Sequence, residues 1–483
     1  MQYILTIRFI ISFLIVRFLI LYIYERYINK RAPIIGLIIP WLGAVPFYLF
    51  APLMFLDYCK YVAGGNAFTI YLAGRYINVR LGDDFERYFY HAPESQLSFI
   101  AAAQDFFGPT LGREAFAPDE IKSFSKLRHT LLGNPSRHIH HIYSLVNNFL
   151  DNLMVKLRKK GNIAGKEEYK FNMIDYIPNF ISKINISCLV GMELGENENF
   201  ITDFTKIEHG INMTSSLPPF LSWFLLIQAK NAFKRFQGNI IKAIHLRNRN
   251  KNNNTSDDDD LLNLIQNIHS LDEETIISAR VFSVLYAGGT TSKLIAQVII
   301  LILNRPNVLA MIQEEIFGLE KNSNCVKKLD LLKLVKDTPY FSSCIEEALR
   351  LKTGILSIRK AMSVIKRDNF NIYKNELVAI SPYYSHHQTK YFKNPTLFNP
   401  SINQGNNNKK KPNHGWGGGK HTCAGRLFAI YVAKIVIATF LQRLDGIQLN
   451  AEKKVKNADD DFTVPGIALC KPCLKFKSLR PLI

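Results

Sequence analysis

Residues 273–304, EETIISARVFSVLYAGGTTSKLIAQVIILILN, constrain the fold more than any other stretch of the chain. Read at helical spacing, the segment is apolar almost all round, so it has no face for water and must run through the middle of the protein until Pro306 ends it. At its centre stands Ala287-Gly288-Gly289-Thr290-Thr291. Each glycine costs about 1 kcal/mol in a helix interior, and the threonine hydroxyls can divert the carbonyl ladder. One reading is a tolerated kink. The other is a local widening, where a flat ligand lies close to the backbone and the hydroxyls face a small reactive molecule.

A chain of 483 residues can bury such a helix in one large domain or two ordinary ones. The rest of the pattern predicts a mainly α protein with a small β subdomain (α+β). Helices are expected at 261–268, 308–319, 327–336 and 339–351, and strands at 68–72, 76–80, 356–361, 376–381 and 462–476. The tracts 247–260 and 403–411 read as solvated inserts.

The N-terminal run Ile4 to Tyr24 is long enough to cross a bilayer. Arg17 near its middle costs about 2.5–3.5 kcal/mol, which roughly fifteen Ile, Leu, Phe and Val residues outweigh. Glu25, Arg26, Lys30 and Arg31 follow, and their net positive charge keeps the next domain cytosolic. The expected organisation is a transmembrane anchor at 1–30, a Pro-rich hinge at 31–52 (Pro33, Pro40, Pro46, Pro52) and a catalytic domain at 53–483. A second apolar, Pro-broken stretch, LPPFLSWFLL at 217–226, reads as another surface that dips into the membrane.

The formal charge of +20 suits an anionic membrane surface or an acidic protein partner, and no nucleic-acid motif is present. The seven cysteines form no paired framework, so they read as reduced thiols. Cys470-Lys-Pro-Cys473 looks like a hairpin tip, and His138 to His141 like a solvated run.

One cysteine is different. Cys423 stands in HGWGGGKHTCAGR, a glycine-rich loop at the mouth of an apolar helical pattern. A helix beginning near it presents free N–H groups and its positive dipole end to a thiolate. Such a lone, shielded thiolate suits the axial position of a haem iron. A catalytic nucleophile is the rival reading, and no general base stands at a fitting spacing. In FSSCIEEALRL, Glu347 and Arg350 share a helix face at i, i+3 beside an apolar stripe, which suggests a structural clasp.

Across essentially its whole length the chain resembles the cytochrome P450 family. That family's cysteine loop, F-x-x-G-x-x-x-C-x-G, has Trp416, Gly419, Cys423 and Gly425 at its places here. The oxygen-activating helix A/G-G-x-D/E-T is matched by Gly288 and Thr291, with Thr290 in the acidic position. The E-x-x-R helix is Glu347 to Arg350, and W-x-x-x-R appears as Phe124 to Arg128. The resemblance implies haem b with Cys423 as iron ligand and with Arg128, Arg359 and His421 on the propionates. It implies O2 chemistry served by Thr291, Gly288 and Thr290, and electrons from NADPH through a flavoprotein reductase. An endoplasmic reticulum membrane location and an apolar substrate follow, and the likeness is nearest to sterol demethylases and hydroxylases. Departures from the pattern leave two alternatives: a haem-thiolate isomerase or dehydratase working on a lipid peroxide without a reductase, and a non-catalytic haem protein. Thr290 removes the usual acid, and Ile402 replaces the arginine expected to complete the Glu347–Arg350 set.

Overall fold

The computed structural model describes residues 12, 16, 20, 30–35, 43–72, 75–113, 132–160, 168–216, 219–250, 260–266, 273–318, 330–367, 369–403, 414–450 and 472–481. The long apolar segment forms one helix, Glu274–Leu303, and Pro306 opens the next, Pro306–Gly318. The glycines and threonines do not break it, because helices Met173–Leu189, Pro339–Lys352 and Arg426–Arg443 all pack against it. Tertiary packing of this kind outweighs weak local propensity. Phe282, Ile295 and Val298 from this helix join Phe341, Val436 and Phe236 in one large core. Fully burying one such side chain is worth about 1.5–3 kcal/mol. The helix is also the one element among the described residues long and apolar enough to cross a membrane. With 61% of its apolar window buried inside the protein, it is a core helix.

The β portion is a six-stranded sheet in the order Ile34–Ile35, Ala67–Leu72, Arg75–Arg80, Leu377–Ile380, Ser357–Ala361, Leu97–Ser98. The hairpin Ala67–Leu72 with Arg75–Arg80 is antiparallel, and the second of these strands then pairs in parallel with Leu377–Ile380. Leu97–Ser98, an edge too short to read from the sequence, places the chain that enters helix Phe99–Leu111.

Several local expectations change. Within 31–52, Pro46 lies in the first turn of helix Val45–Phe50 and Pro52 opens helix Pro52–Ala63. Proline at a helix start loses no hydrogen bond and has its φ preset, so these residues begin helices here. Pro219 likewise opens Pro219–Asn250, where Trp223 and Phe224 are exposed. His138 is not simply solvated: its ring meets Phe428 edge-on at 6.2 Å, and burial pulls the His141 imidazole below its usual range. Arg247, at the front of the 247–260 tract, is helical and paired with Glu193 and Asp260. Cys473 lies in strand Cys473–Phe476, between Tyr169–Asn172 and Gln448–Asn450, while Cys470 falls outside the described residues. The expected anchor lies outside them too, apart from residues 12, 16 and 20.

Candidate functional site

The Cys423 loop rests on two earlier segments. Gly418 and Gly419 lie against helix Asp83–His91, where a Cβ added at Gly419 would come within 2.0 Å of the Tyr90 carbonyl oxygen. Gly419 also has φ +59°, a region that favours glycine. These glycines therefore bring the loop down onto Tyr90. The indole N–H of Trp416 donates to Glu346 Oε2 at 2.9 Å, and Arg426 donates to Glu346 Oε1 at 2.7 Å. Both bonds tie the loop to helix Pro339–Lys352. The Cys423 N–H donates to the Trp416 carbonyl at 2.8 Å, which closes the loop on itself.

The helix after the loop spans Arg426–Arg443, with Gly425 as its N-cap. It begins three residues beyond Cys423, so the thiol stands ahead of the first turn. Cys423 is free and exposed. A Cβ at Gly425 would sit 3.9 Å from its sulfur and 3.7 Å from Leu132, in ordinary contact.

His421 and Arg359 converge on one carboxylate. His421 Nε2 lies 2.6 Å from Glu94 Oε1. Arg359 is buried, donates to the Phe89 carbonyl, and holds its guanidinium carbon 4.6 Å from the Phe89 ring centre. Burial lowers its basicity, and the nearby Glu94 charge partly restores it. Burial alone would raise the Glu94 carboxyl, but hydrogen bonds involving His421 and Ser98 outweigh it and hold the group below its ordinary range. The sequence gives no sign of Glu94, which meets His421 and nears Arg359 only through the fold. Arg128 and Phe124 lie outside the described residues.

On the central helix, Ala287 and Thr290 are exposed one turn apart, Thr291 is buried, and the Thr290 hydroxyl donates to the Ala287 carbonyl at 3.0 Å. Gly288 is where helix Met173–Leu189 comes close: an added Cβ would lie 2.5 Å from Asn185 Nδ2. The Asn185 carboxamide is buried, and neither of its polar atoms has a hydrogen-bond partner. The pair Glu347 and Arg350 is a bidentate, fully buried clasp with both contacts at 2.8 Å. Its remaining valences go to main chain. Arg350 donates to the carbonyls of His386, Pro395 and Leu397, and Glu347 accepts the Asn399 N–H at 3.0 Å. Backbone thus takes the part expected of an arginine at Ile402, whose turn, Pro400–Asn403, is present. His386 links this clasp to the loop. One ring nitrogen lies 3.1 Å from the Arg350 carbonyl, the other accepts the His414 N–H at 3.0 Å, and burial pushes its pKa down to about 3.

Haem fits these residues. A free thiol at a helix entrance, an imidazole and a guanidinium near one carboxylate, and an exposed small-residue face on the central helix form a donor set for an iron ligand, propionates and a flat apolar ring.

The family model for Cytochrome P450 matches residues 36–473 of the chain. Among curated proteins, the chain is similar to lanosterol 14-alpha demethylase of Candida tropicalis, 22% identical over 471 residues, covering 88% of this chain and 86% of that one. The enzyme of the same name from Cunninghamella elegans is 24% identical over 457 residues, covering 86% and 85%. Sterol 14alpha-demethylase of Mycolicibacterium vanbaalenii is 22% identical over 396 residues, covering 79% and 84%.

Proposed function

The chain belongs to the cytochrome P450 family and is a haem monooxygenase, and from that premise we propose that it oxidises a sterol or related apolar lipid. The cofactor is haem b, and the electrons come from NADPH through a flavoprotein reductase. The setting is the endoplasmic reticulum membrane, with the catalytic domain in the cytosol. The single observation that carries the site reading is the exposed Cys423 thiol held ahead of helix Arg426–Arg443 by the Trp416 carbonyl. The sterol class is supported by the names of the relatives.

When bound, haem supplies the iron at which one atom of O2 enters the substrate and the other leaves as water, and thiolate ligation promotes cleavage of the O–O bond. Cys423 binds the iron as thiolate. Arg359 and His421, with Arg128, would hold the propionates. Trp416 keeps the thiol loop fixed to Glu346. Ala287 and Thr290 offer the small face that admits a flat ring. Thr291 holds and passes the proton that oxygen reduction consumes, and a positioned group of this kind contributes about 10²–10⁴ in rate.

The test is a comparison of wild type, Cys423→Ala and Thr291→Ala in membranes supplied with sterol, reductase and NADPH. The wild type should give the long-wavelength ferrous–CO band of thiolate ligation and an oxidised sterol that requires NADPH. Cys423→Ala should lose the band, and Thr291→Ala should keep haem while consuming NADPH with little product. A Cys423→Ala protein that retains the band sinks the ligand assignment, and wild-type turnover without NADPH sinks the monooxygenase chemistry proposed for this substrate class.

A further inference from the structure

One carboxylate holds the cysteine loop at both ends. The Trp416 indole N–H donates to Glu346 Oε2 at 2.9 Å, and Arg426 Nη2 donates to Glu346 Oε1 at 2.7 Å. These two donors lie on either side of Cys423 in the chain. Leu349, one turn on from Glu346 and so on the same helix face, lies against Gly415, where an added Cβ would come within 2.6 Å of its Cγ. Local chemistry explains none of the three polar groups. Arg426 opens helix Arg426–Arg443, where a cation faces the positive end of the helix dipole. Glu346 has 12% of its side chain exposed, and burying a carboxylate is unfavourable unless donors satisfy it. Trp416 stands where the family pattern carries phenylalanine, and an indole adds one N–H donor to what a phenyl ring offers. That donor is spent on Glu346. The Trp416 carbonyl in turn accepts the Cys423 N–H at 2.8 Å, so a shift at residue 416 carries the cysteine with it.

We propose that Glu346 is the positioning residue of the thiolate: through Trp416 and Arg426 it decides how firmly Cys423 stays on the iron. The inference rests on Cys423 being the haem ligand. Hydrogen bonds to an ionised acceptor are the strong kind, and here two of them converge on one half-buried group. With both ends of the loop fixed to helix Pro339–Lys352, the sulfur keeps its place ahead of helix Arg426–Arg443. With Glu346 removed, the indole and the guanidinium lose their shared anchor and the loop can lift. The thiolate then takes up a proton, its bond to iron breaks, and the ferrous–CO band moves to the shorter wavelength of a haem without thiolate.

The experiment uses the full-length haem protein as wild type, Glu346→Ala, Glu346→Gln, Trp416→Phe, and Glu346→Ala combined with Trp416→Phe. Decay of the long-wavelength ferrous–CO band is followed in mild denaturant, with far-ultraviolet circular dichroism recorded alongside. Glu346→Ala should lose the band about 10–100-fold faster than wild type, the usual range for an outer partner of a metal ligand, while its helix signal holds. Trp416→Phe keeps an aromatic ring without the N–H, and it should speed the loss in the same direction. Glu346→Gln retains an acceptor oxygen and should fall between wild type and Glu346→Ala. The double variant should be no faster than Glu346→Ala alone, since the bond to residue 416 is already gone. A merely structural role would lower helix signal and band together and make the two substitutions add. Equal band lifetimes in wild type, Glu346→Ala and Trp416→Phe, or additive losses, overturn the inference and leave the ligand assignment intact. If Glu346→Ala does not fold, the comparison of Trp416→Phe with wild type decides by itself. A wild type without the thiolate band overturns the ligand assignment, and this inference with it.

Discussion

Glu86, on helix Asp83–His91, accepts the Ser385 hydroxyl at 2.8 Å and lies 3.6 Å from His414 at the head of the cysteine loop. Burial is the largest influence on its carboxyl, the Ser385 hydrogen bond opposes it, and the pKa is pushed up to about 7 from 4.5. The folded state therefore binds this proton more tightly than the unfolded chain. Glu86 leaves stability intact below pH 4.5, erodes it as pH rises toward 7, and costs no more above that. At about 1.4 kcal/mol per pKa unit, the loss across the window is on the order of 3 kcal/mol. Thermal melts of wild type and Glu86→Gln between pH 5 and 8 should differ in slope, with the variant flatter and the more stable at pH 8. Parallel curves would remove Glu86 as the cause. At this scale, residues whose chemistry depends on near neighbours in the chain were legible: Cys423, and the pair Glu347 and Arg350. Glu94 and the Asn399 N–H were not, because each meets its partner only across the folded molecule.

Elements were legible where the apolar period was long and poorly legible where a single residue served a distant neighbour. The central helix was expected at 273–304 and spans Glu274–Leu303. Gly418 and Gly419 in the cysteine loop make room for Tyr90. No local pattern announces a contact between residues so far apart. Gly419→Ala meets the Tyr90 carbonyl at 2.0 Å and a backbone angle of +59° that alanine avoids. Overpacking alone costs about 1–3 kcal/mol, and the left-handed strain adds about 1–2 kcal/mol. The variant should melt well below wild type and be recovered with less haem per protein. Gly425→Ala, whose Cβ meets only ordinary contacts at 3.7 and 3.9 Å, is the control and should cost far less stability. Equal melting temperatures for the two would show that the loop can lift off Tyr90 freely.

The whole molecule carries its exposed apolar side chains in more than one place. Met54, Tyr58 and Tyr61 are exposed on helix Pro52–Ala63, and Trp223 and Phe224 near the start of Pro219–Asn250. With the net charge of +20, these suit a surface that lies on an anionic bilayer. A chain lacking residues 1–30 should therefore still sediment with anionic vesicles, and Trp223→Ser with Phe224→Ser should weaken that binding. A truncated chain that stays wholly in the supernatant would leave the N-terminal run as the sole attachment. The general architecture was readable in advance because amphipathic patterning reports burial; how the surfaces are used was not, since exposure depends on which neighbours arrive. The Glu347–Arg350 clasp has a consequence for how this protein can change over generations. It grips carbonyls and an amide between Pro395 and Asn399 rather than any side chain. That stretch is thus held to a fixed length more tightly than to its spelling: apart from Phe398, which the core claims, residues there can be exchanged, but one added or lost would pull the grip apart.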